Sequence, residues 1–116
     1  MKTNNLIQDK TFQFALDVIK FYMQLVGEKE YVLSKQLLKS GTSIGSNVEE
    51  AIAAQSRKDF ISKMSIESKE SRETRYWLRL LSKSNLTSLS TSVLLKEIND
   101  IINIITKIIL TTKSKN

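Results

Sequence analysis

Not one of the 116 residues is proline, and only three are glycine. Proline fixes φ and removes a backbone donor, and glycine costs a helix about 1 kcal/mol relative to alanine. A chain without the first and nearly without the second has few forced interruptions. An all-β fold built on many tight turns is disfavoured for the same reason. The length suits one domain, and 41% hydrophobic residues are enough to build a core.

The apolar spacing predicts four helices. The first runs from about Asp9 to Val26, with Phe12, Ala15, Ile19, Tyr22, Met23 and Val26 on one face. Gly27 is the expected C-terminal cap, and Glu28-Lys29-Glu30 the exposed connection. The second runs from about Tyr31 to Gln55 on an inner face of Leu33, Leu37, Ile44, Val48, Ala51 and Gln55. Its middle, Ser40 to Asn47, is a poor helix former. The apolar phase nevertheless stays in register from Leu37 to Val48, which predicts a continuous helix whose small residues admit a close neighbour.

The third helix spans about 57–84. Ser56 is its expected N-cap, with Asp59 three residues on. Phe60, Met64, Glu67, Ser71, Thr74, Leu78 and Leu81 share one face. The fourth spans about 90–111, with Leu94, Ile98, Ile101, Ile105 and Ile108 at heptad spacing. Leu95, Ile102 and Ile109 add a second row. Short links between long helices predict an antiparallel up-down-up-down four-helix bundle. The fourth helix carries more apolar width than one bundle core needs, which points to burial against another subunit, a homo-oligomer.

The chain has no histidine and no cysteine. Ser-His-Asp catalysis, thiol nucleophiles, zinc-cysteine sites and imidazole ligands are thereby excluded. A carboxylate-bridged di-metal bundle needs Glu-x-x-His motifs, so no metal or other cofactor is expected. Gly41 to Gly45 lacks the Gly-Lys-Ser/Thr ending of a phosphate-binding loop. The expectation is a protein that is not an enzyme. The N-terminal MKTNNLIQDK has no long apolar run, and IINIITKIIL is too short to span a bilayer. No membrane partner is expected, and the cytoplasm is the default location.

Net charge is +6, which suits an acidic partner. All four arginines lie on the third helix. Arg72, Arg75 and Arg79, with Lys83, fall at spacings of three and four and form one stripe. None of the three arginines has an acid three or four residues away, so a group outside the helix should offset their repulsion. RNA or DNA, an acidic residue of a neighbouring subunit, and plain solvent all remain open. Tyr76 and Trp77 interleave with the stripe and offer either stacking or packing.

The strings LSKQLLKSGTSIGSNVEEA and DFISKMSIESKESRETRYWLRLL resemble the bacterial four helix bundle protein family, which includes proteins encoded in intervening sequences of large-subunit ribosomal RNA genes. The accessory variability determinant of diversity-generating retroelements is a related member. The resemblance spans about Phe12 to Leu81. It rests on Thr42 to Asn47 with Ser43, Gly45 and Asn47, then Glu49-Glu50-Ala51, Asp59-Phe60, Lys69-Glu70, Glu73-Thr74 and Tyr76-Trp77-Leu78. It implies a homopentameric barrel in which these motif residues serve the interface. For the retroelement branch it also implies binding of nucleic acid and a reverse transcriptase. The chain departs from the family at Ser65, Ser68 and Ser71, where small apolar residues or alanine are usual, which leaves the third helix more polar.

Overall fold

The computed structural model describes residues 2–115, with side chains from residue 5 onward. All regular structure among them is helical: α1 Lys2–Gly27, α2 Leu33–Ile52, α3 Arg57–Ser84 and α4 Ser92–Lys113. Each helix packs on its sequence neighbours, and α4 closes the ring onto α1. The result is an antiparallel up-down-up-down bundle about 50 Å long and 21 Å across.

α2 is continuous through Ser40–Asn47. Its serine and threonine hydroxyls are absorbed by its own turns: Thr42 donates to the Leu38 carbonyl at 2.7 Å and Ser43 to Lys39 at 2.6 Å. Ser56 caps α3 by accepting the Asp59 amide at 3.0 Å. The heptad residues of α4 and the inner row of α3 from Met64 to Leu81 are buried as their spacing requires.

Several boundaries and faces differ from expectation. α1 begins at Lys2, well before Asp9. Its inner row is Ile7, Thr11, Phe14, Val18, Phe21 and Leu25, all buried. Of the row expected inside, Phe12, Ile19 and Met23 point outward, with Phe12 66% and Met23 64% exposed, while Ala15, Tyr22 and Val26 are half-buried. Both rows have four-three spacing, so period alone cannot say which one meets the core. Gly27 is not in the left-handed region. That conformation falls on Lys29, with φ 67°. The Glu30 amide then reaches the Leu25 carbonyl at 2.9 Å, and the Lys29 amide reaches Val26 at 2.9 Å.

Glu30 is buried, not part of an exposed connection. α2 starts two residues late and stops at Ile52, leaving Gln55 exposed in the link to α3. α4 starts at Ser92 and runs on to Lys113. Its second apolar row is absorbed inside the monomer: Ile102 is buried, and Leu95, Ile104 and Ile109 are packed against the core. The apolar excess that pointed to a second subunit therefore lies on α1, not α4.

Candidate nucleic-acid interface

Within the basic stripe of α3, Arg75 lies on the side of that helix that faces α4. It is half-buried, and its Nη1 donates to Asn99 Oδ1 of α4 at 3.0 Å. Arg72, Arg79 and Lys83 follow at three- and four-residue spacing and are exposed. Among the described residues the ion pairs are Lys63–Asp59 at 3.9 Å and Lys96–Asp100 at 3.3 Å. No carboxylate of the described residues lies within 4.0 Å of any of the four basic groups. Among the described residues the stripe is thus a row of cations whose one hydrogen bond runs from Arg75 to a neutral amide.

Trp77 does not interleave with this stripe. It is half-buried against the core, and its Nε1 donates to Glu73 at 3.3 Å. Tyr76 stays exposed and meets it edge-on, with ring centroids 5.3 Å apart. Glu70, Glu73 and Trp77 form a row on the α2 side of α3. There the Glu70 carboxyl is pushed up by burial and by Glu73, and Lys39 of α2 partly offsets both. Ser43, Asn47 and Glu50 of α2 recur at four and three residues, the spacing of one face. Gly45 and Glu49 point elsewhere, into a groove against α1. Gly45 approaches Thr11, and Glu49 accepts both of its contacts from Gln8 Nε2, at 3.1 and 3.2 Å. The motif residues therefore divide between two faces that meet at α2.

Other titratable groups sit where no site was expected. Glu67 is fully buried. Its Oε1 accepts from Ser71 at 3.0 Å, while Oε2 has no partner. Burial pushes its pKa up to about 8, against a smaller lowering by Ser71. Its inward position was legible from spacing, but its isolation was not. Between α1 and α4, burial and the adjacent Asp17 push Glu97 up to about 7. No group of three or more acids among the described residues is arranged to hold a metal. Among the described residues no helix is long and apolar enough to cross a membrane.

The sequence pattern of the 23S rRNA-intervening sequence proteins matches residues 3–107. A crystal structure from Bacteroides thetaiotaomicron, described as a protein of unknown function from the S23 ribosomal protein family, superposes with a TM-score of 0.88. It is 42% identical, and the match covers 92% of this chain and 97% of that one. No curated protein matches the chain. With the pattern matched over nearly its whole length, the chain belongs to the 23S rRNA-intervening sequence protein family.

Proposed function

We propose that this protein is a non-enzymatic, self-associating helical bundle that binds nucleic acid through the α4 side of α3. The observation that carries the reading is the Arg72–Arg75–Arg79–Lys83 stripe without a carboxylate partner. Like charges one turn apart cost a helix a few tenths of a kcal/mol per pair, which phosphates placed over the row would reverse. Arginine suits that role because its planar fork matches phosphate oxygens in pairs. The family's association with a ribosomal RNA gene makes structured RNA the first ligand to try. Self-association is supported by the outward apolar row of α1.

The test is an electrophoretic shift with structured RNA at several salt concentrations. Binding should weaken steeply with salt, and the Arg72→Glu/Arg75→Glu/Arg79→Glu variant should lose it. Absence of binding at low salt, or a triple variant that binds like wild type, would exclude the reading. A second reading is an assembly module in which the arginines meet acids of a neighbouring subunit. The acidic row of Glu70 and Glu73 favours it, and it requires the same triple variant to lower the mass in solution.

A further inference from the structure

The contact between Arg75 and Asn99 has a direction that its chemistry fixes. A guanidinium only donates, so Asn99 turns Oδ1 toward Arg75 Nη1, at 3.0 Å. Its Nδ2, which carries two N–H donors, is thereby turned away from the guanidinium. Asn99 is exposed, and among the described residues no acceptor is bonded to that nitrogen. Nor is one bonded to the N–H groups of Arg75 that Asn99 does not take. The two side chains therefore present unspent donors side by side across the seam between α3 and α4.

The acids of α4 are kept off this seam. Its two carboxylates lie toward α1: Glu97 meets Asp17 of α1, and Asp100 is close enough to act on Glu97. Asp100 also holds Lys96 at 3.3 Å. Ser92, seven residues before Asn99 on the same row, is uncharged, and so is Asn103, one turn beyond it. Both are exposed. Since α3 and α4 run antiparallel from the Arg75–Asn99 contact, a rise of about 1.5 Å per residue brings Asn103 level with Arg72 and Ser92 level with Lys83. A row of cations on α3 thus runs beside a row of uncharged polar groups on α4.

The residue type at position 99 matters for the charge. An aspartate there would grip Arg75 harder but neutralise it. Asparagine aims the guanidinium and leaves its charge for another group. We propose that Asn99 is the second arm of the site: Arg75 and Asn99 hold one phosphate of the bound strand between them, and the strand follows the α3–α4 seam. One non-bridging oxygen accepts from the guanidinium and the other from Nδ2 of Asn99. The inference rests on the nucleic-acid reading above and adds to it a residue that carries no charge.

The test follows the fluorescence anisotropy of a labelled RNA hairpin with the full chain at several salt concentrations. Asn99 is exposed, so its replacement does not open the core. Asn99→Ala removes the amide without changing charge. It should weaken binding about tenfold at every salt concentration and leave the salt slope unaltered. Asn99→Asp ties Arg75 into an ion pair, so the slope should also fall by about one phosphate contact. Gln24→Glu makes the same charge change at an exposed position of α1 and should leave the slope as it is. If Asn99 only steadies the bundle, Asn99→Ala lowers the urea midpoint and binds RNA as tightly as wild type. That result would overturn the proposal while leaving the nucleic-acid reading in place, and so would equal slopes for Asn99→Asp and Gln24→Glu. A wild-type chain that binds no RNA at low salt would overturn both.

Discussion

A Cβ built on Gly41 would sit 3.0 Å from Cγ2 and 3.1 Å from Cγ1 of Val18. The glycine is buried where α2 crosses α1, and the two methyl groups of Val18 occupy the space a side chain would need. Gly45, one turn on, is different. Its nearest neighbour would be the Thr11 carbonyl oxygen at 3.5 Å, an ordinary contact. The two glycines share a helix and a facing partner but not a reason for being glycine.

Opposite signs follow for their replacement by alanine. Gly45→Ala should stabilise the fold by about 0.5–1 kcal/mol, because alanine loses less backbone entropy in a helix. Gly41→Ala gains the same amount but forces the Val18 methyls aside, and overpacking costs about 1–3 kcal/mol. The net should be destabilising, and Val18→Ala in the same chain should relieve part of it. Urea midpoints of the three variants decide the matter. A Gly41→Ala variant as stable as Gly45→Ala would mean that the helices yield without cost.

The contrast between these glycines was not legible in the sequence, although the close approach was. Four helices, their order, the core rows of α3 and α4, and the continuity of α2 all followed from period and from the lack of proline. Period failed at α1, where the expected row of Phe12, Ala15, Ile19, Tyr22, Met23 and Val26 and the buried row of Phe14, Val18, Phe21 and Leu25 both carry helical spacing. Only contact with α2 and α4 chooses between them. The arginine stripe was legible as a row, because one helix defines it. Its separation from Trp77 depends on how α3 is rotated between α2 and α4, which no local pattern records. Chain ends and links were the least legible, since the left-handed residue fell on Lys29 instead of Gly27.

Glu67 makes the bundle sensitive to pH. Its carboxyl has a pKa of about 8 in the fold, raised from 4.5 by burial. A raised carboxyl pKa means that the folded state holds a proton the unfolded chain releases between about pH 4.5 and 8. Stability from this group is therefore complete below pH 4.5, falls as pH rises, and levels off above about 8. The slope within the window is up to about 1.4 kcal/mol per pH unit. Glu67→Gln keeps the shape and an acceptor for Ser71 and has no proton to lose. Its urea midpoint should decline less than the wild-type value from pH 5 to 8.5, with the slope that remains below about pH 7 left to Glu97, and the difference in slope between the two proteins should persist up to about pH 8. Parallel profiles for the two proteins would show that Glu67 ionises in the fold as easily as in water.

Glu30 supplies the cap that the start of α2 otherwise lacks. Val32, at the cap position, has no side-chain acceptor. The Glu30 carboxylate reaches forward instead and accepts the amides of Val32 and Leu33 at 3.1 Å each and of Ser34 at 2.9 Å. Ser34 Oγ returns the contact by donating to the Glu30 carbonyl at 2.8 Å. Three otherwise unpaired helix amides and the positive end of the helix dipole thus converge on one buried side chain. Glu30→Ala should cost about 2 kcal/mol, the upper range for loss of a helix cap, because it strands all three donors at once. Glu30→Gln retains one acceptor oxygen and should cost about half as much. Amide hydrogen exchange at Val32, Leu33 and Ser34 locates the effect. Exchange there should accelerate in Glu30→Ala more than at Val48 or Ala51, at the far end of the same helix. A uniform loss along α2 would assign the role of Glu30 to packing in the core.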